Sequence, residues 1–359
     1  MRGARELPRL GKLPPDVFDE VIFPHLGARD DSVVVRPRHG VDFGVIEIGE
    51  RALIVTTDPV FIVPEYGWER SAWFAVHILA SDAAVSGVRP RYMAIDLNLP
   101  VRMTREEVEI VWTTMHRECE KIGISIAAGH TGRYDGCNYP MVGGAVVMGL
   151  TDKDGYVTPE MAEPGNKLIV TKGPAIETTG ILSVLFPGLL REEFGSSFVE
   201  RAQRVFYQQT VVEDALTASS VGIREDGVTA MHDATECGLW GGLYEVARAS
   251  QVGMVIEQGK IPVLDEVEKV CAFFRRLTGV DIDPFKSISE GTLIITAQAR
   301  KAGGVVSALR RRGIKSAIVG DVVRRGEGIV VLKPDGTEER LEHPREDPFW
   351  ATLAHLLAR

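Results

Sequence analysis

The sequence predicts a protein of two mixed α/β domains. Its 359 residues correspond to roughly two domains of about 150 residues each. Strand-like and helix-like segments alternate on both sides of one polar break, Thr151–Asn166, where Asp, Lys, Gly, Pro and Glu cluster. Hydrophobic residues make up 45% and charged residues 25% of the chain, which is typical of a folded protein. We therefore place the domains at residues 1–155 and 165–325, followed by a charged tail with a short helix over residues 326–359.

The first half of the chain combines strands with helices. Alternating β-branched residues predict strands at Val41–Ile48 and Ala52–Thr57, joined by a Gly49-Glu50 turn. The Ala-rich segment Trp68–Gly87 has apolar residues three and four apart, which predicts a buried helix. Arg91–Leu97 follows as a predicted strand.

A capping box then predicts the start of a helix at Thr104, because Glu107 lies three residues after it. Ser125–Ala128 and Met141–Leu150 are predicted strands on either side of a glycine-rich loop.

The second half repeats this mixture. Lys167–Lys172 is a predicted strand, and Thr178–Leu185 is a predicted helix that stops at Pro187-Gly188. Arg201–Ser219 is predicted to be one helix. The remaining predicted elements are the helices Gly238–Ala249 and Leu264–Leu277, a strand–helix–strand series at Thr292–Ala297, Gly303–Arg312 and Ile314–Val319, and a closing helix at Pro348–Leu357.

Composition argues against several classes of protein. Asp and Glu outnumber Lys and Arg by 50 to 41, so the net charge of −9 disfavours binding to nucleic acid. None of the four cysteines lies in a CxxC pair, which argues against a disulfide framework or a zinc ribbon. The sequence shows no signal peptide and no apolar run near the roughly 20 residues that span a bilayer. We expect a cytoplasmic protein that binds no membrane.

Four carboxylates in the first domain are candidates for a metal site. Asp30 and Asp31 precede a strand, and Asp58 follows one. Turn formation explains these three equally simply. Asp82 lies inside an apolar helix, where a buried carboxylate is costly, so it either faces water or binds a cation.

Together these carboxylates fit Mg²⁺, which prefers a few carboxylates, waters and substrate phosphates. The number of acids suits a nucleotide triphosphate with its metal ions. The chain has no GxxxxGK[ST] motif, which excludes a P-loop enzyme.

Two further segments could bind phosphate or carry chemistry. In the predicted loop the backbone of Gly129 and Gly132 and the Thr131 hydroxyl could contact a phosphate, with a structural turn as the alternative. His130 in that loop is either a phosphate donor or a satisfied loop residue. Asp233 precedes a predicted helix, where it either caps the helix or helps to form an anion site, and Glu290 lies just before a predicted strand.

The sequence resembles the superfamily of aminoimidazole ribonucleotide (AIR) synthase, the hydrogenase maturation factor HypE, selenophosphate synthetase and thiamine-monophosphate kinase. The likeness extends from about Gly11 to Val323, and the second domain resembles HypE and AIR synthase-related proteins most. The segments that carry it are Asp30-Asp31, Thr56-Thr57-Asp58-Pro59, Ser81-Asp82-Ala83-Ala84, Gly129-His130-Thr131, His232-Asp233-Ala234-Thr235-Glu236-Cys237-Gly238-Leu239, Ile261-Pro262-Val263 and Ser289-Glu290-Gly291.

The resemblance implies an AIR synthase-like fold and a homodimer in which first-domain strands of both subunits form a β-barrel. It also implies ATP in a cleft with Mg²⁺ on first-domain acids. By position, the implied metal ligands are Asp30, Asp31, Asp58 and Asp82, and the implied catalytic residues are Asp82, Asp233 and Glu290. The implied nucleotide contacts are Lys12, Asp31, Gly129, His130, Thr131 and Gly132. His130 stands where relatives have an acid, so this chain departs from the family pattern at that position.

The shared chemistry would be phosphoryl transfer from ATP to an oxygen of a small substrate, which allows dehydration or ring closure. HypE relatives act on a group carried by a C-terminal cysteine, whereas the last cysteine here is Cys271, so we expect a different, unidentified substrate. A maturation-complex protein is a further expected partner. The alternatives are a non-catalytic nucleotide-binding scaffold or regulatory protein, and a thiamine-monophosphate kinase-like phosphotransferase.

Overall fold

The computed structural model describes residues 17–358, which form two mixed sheets with helices packed against them. This confirms the predicted α/β class. A short helical turn, Phe18–Ile22, opens the described chain. Lys12, a predicted phosphate contact, lies outside the described residues.

The first sheet has six strands in the order β1-β2-β3-β6-β4-β5. Only β4 and β5 pair in parallel, and every other neighbouring pair is antiparallel. In a single chain this sheet is open, with β1 and β5 at its edges. The strands are β1 Val33–Val35, β2 Gly44–Ile48, β3 Arg51–Phe61, β4 Pro90–Pro100, β5 Ser125–Tyr134 and β6 Met141–Asp152.

Two helices pack on this sheet, α1 Trp68–Ala84 and α2 Arg105–Ile122. The predicted capping box is present, because Thr104 N donates to Glu107 Oε2 (2.7 Å) and Glu107 N donates to Thr104 Oγ1 (3.3 Å). Helix α2 ends at Gly123, whose φ of 92° suits glycine.

The second sheet has seven strands in the order β13-β12-β9-β11-β7-β10-β8. Its strands are β7 Lys167–Thr171, β8 Val228–Ala234, β9 Val252–Glu257, β10 Thr292–Ala297, β11 Ser316–Arg324, β12 Ile329–Leu332 and β13 Glu338–Arg340. The helices that follow α2 are α3 Ile176–Leu185, α4 Pro187–Phe194, α5 Ser196–Val205, α6 Val212–Ser219, α7 Gly238–Ala249, α8 Asp265–Thr278, α9 Ala299–Arg311 and α10 Pro348–Leu357. No helix within residues 17–358 is long and apolar enough to cross a membrane.

One helix prediction in the second half was confirmed at its end and one was wrong. Helix α3 ends at Leu185, directly before Phe186 and Pro187-Gly188, as predicted, and Pro187 then occupies the first turn of α4, a position that needs no backbone N–H. The predicted single helix Arg201–Ser219 is α5 and α6, separated by a 3₁₀ turn at Phe206–Gln208. The chain turns there to reach α1, where Val211 N donates to Ser81 Oγ (3.1 Å).

Two segments predicted as loops are strands. Asp58 lies within β3, and the strand tolerates Pro59 because β2 pairs with β3 only as far as Val55 and a register shift follows Pro59 on the β6 side. Gly129–Gly132 belongs to β5, paired with β4 along its length. The sequence suggested a loop because glycine is usually depleted in strands.

The two domains share one apolar core across α1. Val76 and Ala80 of α1 are fully buried in the same cluster as Met231 of β8 and Leu293 of β10. The C-terminal end of α1 therefore faces the ends of β8 and β10, which brings residues of both domains together there.

Candidate active site

Acidic side chains from both domains meet where α1 faces the second sheet. Asp58 comes from β3 and Asp82 from the last turn of α1, whereas Asp233 comes from β8. Glu290 lies in the turn that enters β10. Asp58 and Asp233 both raise the pKa of Asp82, and both also act on Glu290. The structure thus gathers these four predicted residues into one site.

Asp82 is the central first-domain residue of this site. Its Oδ2 lies 3.1 Å from Thr56 Oγ1, which also lies 2.9 Å from the carbonyl oxygen of Asp42. Burial raises the pKa of Asp82 well above its usual range, and the neighbouring charges of Asp58 and Asp233 raise it further. Accumulated negative charge of this kind favours a bound cation.

His232 of β8 is a basic residue at the edge of this site, and it contacts an acid of the other domain. Its Nδ1 lies 2.7 Å from Asp42 Oδ2, and its Nε2 lies 2.9 Å from Glu245 Oε2. The imidazole is 1% exposed, and burial alone would lower its pKa. The charges and hydrogen bonds of Asp42 and Glu245 outweigh burial and raise the pKa of His232 well above its ordinary value. His232 is therefore an imidazolium that donates to a carboxylate on each side.

The second domain adds a further group of raised-pKa acids. Glu290 N donates to Glu177 Oε2 (3.1 Å), and burial raises the pKa of Glu177 to about 8. Asp347, at the start of α10, accepts a hydrogen bond from Cys237 N (2.8 Å). Burial raises the pKa of Asp347 to about 6, although three backbone hydrogen bonds lower it.

Local backbone geometry positions these residues. Gly173 precedes α3, has a φ of 96°, and lies so close to Pro262 O that an added Cβ would be only 1.8 Å away. This turn directs α3, which carries Glu177, toward the site. Gly242 lets α7 approach β8 and β10, because an added Cβ would lie 2.7 Å from Ile294 Cδ1. The same helix carries Glu245 to His232.

The structure does not join Asp30 and Asp31 to this cluster. Asp30 Oδ1 accepts from Ser32 N (2.9 Å), and Asp31 is an exposed partner of Arg29 at 3.5 Å. Within one chain, the contacts of both carboxylates are therefore local.

The His130 segment also lies apart from the acids within one chain. Gly129 and His130 line a depression of about 500 Å³ together with Thr57 and Asp96. Successive strand side chains point to opposite faces, and Thr56 contacts Asp82, so Thr57 and this depression lie on the other face of the sheet. His130 Nε2 lies 2.6 Å from Tyr134 Oη, and Thr131 and Gly132 follow it along the exposed edge strand.

Sequence reasoning missed four residues of the site: Asp42, Glu177, Glu245 and Asp347. Asp42 lies two residues before β2. An acid shortly before a strand was the signal used for Asp30-Asp31, and the same pattern could have identified Asp42. Asp347 directly precedes Pro348 at the start of a predicted helix, which is a capping signal. Glu177 and Glu245 lie within helices and carried no such signal.

The donor set suits a hard divalent cation. Carboxylate oxygens are the preferred protein ligands of Mg²⁺. Glu290 is 2% exposed, and its Oε1 has no hydrogen-bond partner among residues 17–358. A buried carboxylate oxygen without a donor is costly, so a bound group would complete this site.

Comparison with known proteins decides the family. Residues 40–151 match the AIR synthase related protein, N-terminal domain, and residues 163–333 match the C-terminal domain of the same family. The chain belongs to the AIR synthase related protein family. The match begins at residue 40, so it includes Asp42 but neither Asp30 nor Asp31.

Among the relatives of this AIR synthase related protein are hydrogenase maturation proteins. A putative hydrogenase expression/formation protein of Methanocaldococcus jannaschii is 22% identical over 329 residues, covering 89% of this chain and 91% of the relative. Carbamoyl dehydratase HypE of Escherichia coli is 29% identical over 276 residues, covering 75% of each chain.

Solved structures show the same fold. E. coli HypE superposes with a TM-score of 0.67 at 25% identity, covering 82% of this chain and 87% of that one. HypE in complex with ATP gives a TM-score of 0.64 at 20% identity, with 93% of each chain covered. A HypE–HypF complex gives 0.69 at 17% identity, covering 91% of this chain and 99% of that one.

Proposed function

We propose that this protein is an ATP- and Mg²⁺-dependent enzyme that phosphorylates an oxygen of a small acceptor substrate and so drives its dehydration or ring closure. The observation that carries the proposal is the convergence of Asp58 and Asp82 of one domain with Asp233 and Glu290 of the other. The relatedness to carbamoyl dehydratases and the likeness to an ATP-bound HypE support it.

The first-domain acids would hold the metal. Mg²⁺ bound to Asp58 and Asp82 would neutralise the negative charge of the nucleotide phosphates. Asp82 suits this role because its pKa is raised by burial and by neighbouring acids, and a cation would relieve both effects. Thr56 orients the Asp82 carboxylate from β3.

The second-domain acids would act on the acceptor. An acceptor oxygen attacks the terminal phosphorus, which forms an O–P bond and releases ADP. The bond between carbon and this oxygen then breaks, inorganic phosphate leaves with the oxygen, and the electron pair freed by loss of an acceptor proton forms the new bond to that carbon. Asp233, buried at the end of β8, would accept this proton, and Glu290 would hold the acceptor in place. The ion pairs of His232 with Asp42 and Glu245 keep the two halves of the site together.

Release of ADP tests turnover. We expect ADP release that requires Mg²⁺, stops when a chelator removes the metal, and accelerates when an extract containing the acceptor is added. Asp233→Asn should lose most of this activity but still bind nucleotide. Nucleotide binding with no ADP release from any extract would instead favour a regulatory scaffold.

Two expectations about partners accompany the proposal. We expect a homodimer through the open face of the first sheet, which sedimentation would show as a species with the mass of two chains. The solved HypE–HypF complex motivates a search for a maturation-type protein partner.

A further inference from the structure

The proposed function says only that Glu290 holds the acceptor in place, and it gives Glu177 no role. Glu177 on α3 and Glu290 before β10 lie side by side, joined by the hydrogen bond from Glu290 N to Glu177 Oε2 (3.1 Å). We call this pair, Glu177 and Glu290, the second-domain carboxylate pair.

Glu290 has a buried carboxylate oxygen without a partner. Its Oε1 has no hydrogen-bond partner in the part of the chain that the structure describes, and the residue is 2% exposed. The Ser81 hydroxyl of α1 lies near enough to this carboxylate to lower its pKa, which burial and neighbouring acids raise. The charges that act most strongly on Glu290 are those of Asp233, Glu177 and Asp58, so it lies among the acids of the site. A buried oxygen without a hydrogen-bond donor is costly, so we expect a ligand to donate a hydrogen bond to it.

The C-terminal segment adds negative charge at the outer side of the pair. Asp347 binds Cys237 N (2.8 Å) and Phe349 N (2.9 Å), which fixes its carboxylate at the junction of α7 and α10. After burial, the charge of Asp347 is the first of the acidic groups that raise the pKa of Glu177. The pair is therefore enclosed by acids on both sides.

We propose that the second-domain carboxylate pair binds a cationic nitrogen group of the acceptor substrate, a protonated amine or a guanidinium. Calling the ligand an acceptor substrate rests on the proposed function, but the binding itself does not. Such a group donates several hydrogen bonds from its N–H groups, so one ligand can bind Glu290 Oε1 and Glu177 at the same time. These would be charge-assisted hydrogen bonds, which are stronger than neutral ones.

A nitrogen cation fits this pair better than a second Mg²⁺. Magnesium usually keeps several of its waters, which need space around the ligating oxygens. Glu290 is 2% exposed, so its oxygen is reached more readily by a slender N–H donor than by a hydrated ion. The charged neighbours that act most strongly on Glu177 and Glu290 are all acids, so a cationic ligand would be stabilised there.

Binding of a small cation in the absence of nucleotide tests the proposal. The probe is methylguanidinium, compared by titration calorimetry with neutral methylurea, which has a similar shape. We expect saturable binding of methylguanidinium and none of methylurea. Glu290→Gln and Glu177→Gln should each weaken binding by about tenfold or more, because each removes a charge-assisted hydrogen bond. Gln resembles the protonated carboxyl, so both variants should fold, which circular dichroism would check.

Asp335→Asn is the matched control, because Asp335 is an acid in the exposed turn between β12 and β13. It should bind methylguanidinium like the wild type. Equal binding of methylurea, unchanged affinity in both glutamine variants, or complete displacement of the probe by Mg²⁺ alone would each overturn the proposal. If ATP still binds with Mg²⁺ in those cases, the proposed function stands without this subsite. If neither binds, both fail.

Discussion

His232 is the residue on which the contact between the domains depends most. It is buried as an imidazolium between Asp42 and Glu245, and its loss would leave two carboxylates without their cation. Replacement of one partner in a buried ion pair typically costs about 3 kcal/mol or more. We expect His232→Gln to lower the stability of the folded protein by about this amount near neutral pH.

The pH dependence of this loss follows from the raised pKa of His232. A raised folded-state pKa stabilises the protein fully below the unfolded value, about 6.5, and the effect disappears as the pH rises through the folded value. The difference in denaturation midpoint between wild type and His232→Gln should therefore shrink as the pH rises above about 6.5 and through the raised folded-state pKa. A difference that stays constant across this range would contradict the imidazolium assignment.

For Glu177 we expect the substitution to stabilise the protein at high pH, whereas substitution of His232 destabilises it. Burial raises its pKa to about 8, so the folded state holds a proton that the unfolded chain releases above about pH 4.5. This makes the wild type lose stability as the pH rises from about 4.5 to 8. Glu177→Gln should flatten that part of the thermal-melting profile and melt higher than wild type at pH 8. Parallel profiles would show that Glu177 ionises normally.

Among the individual site residues, the sequence identified those that interrupt a local pattern. Asp82 was found because a carboxylate is unusual in an Ala-rich helix, and Asp58 because it lies next to a β-branched run. Asp42 and Glu245 were missed because each contacts His232 across the fold, and Asp42 is 190 positions away from it. The periodicity of apolar residues predicts structure within one helix or strand and does not predict contacts between elements.

Among the elements, the turn from β7 to α3 tolerates no side chain at Gly173. Gly173 has a φ of 96°, and an added Cβ would lie 1.8 Å from Pro262 O. We expect Gly173→Ala to destabilise the protein by at least about 2 kcal/mol, because it combines backbone strain with a clash. Chemical denaturation would measure this.

Gly188→Ala provides the matched control in the neighbouring helix α4. An added Cβ at Gly188 meets nothing within 4 Å. Alanine in a helix is favoured over glycine by roughly 0.5–1 kcal/mol, so this variant should be as stable as the wild type or more stable. Equal destabilisation by both substitutions would refute the close approach at Gly173.

Most elements could be predicted because their signals are local. The capping box at Thr104 and the helix Pro348–Leu357 were predicted from a few adjacent residues. Gly129–Gly132 was not, because pairing with β4 outweighs the low strand propensity of glycine, and a strand partner is not visible in one segment. The break between α5 and α6 likewise depends on Ser81, in the other domain.

For the whole molecule, the proposed function makes the two domains the two sides of one site. The family match covers both domains, at residues 40–151 and 163–333. The apolar core shared across α1 joins these two domains. The sequence predicted both domains and the acids on each side. It could not predict the ion pairs of His232, which fix how the sides face each other.

The central claim is that acids of the first domain bind ATP with Mg²⁺, and titration calorimetry with ATP tests it most directly. We expect saturable binding in Mg²⁺ and its loss when a chelator removes the metal. Asp58→Asn combined with Asp82→Asn should weaken binding by at least about tenfold, because both metal-binding charges are gone. Asp30→Asn combined with Asp31→Asn, which changes the two exposed acids, should bind as the wild type does. Absence of ATP binding by the wild type, or undiminished binding by the Asp58 and Asp82 double variant, would contradict the account.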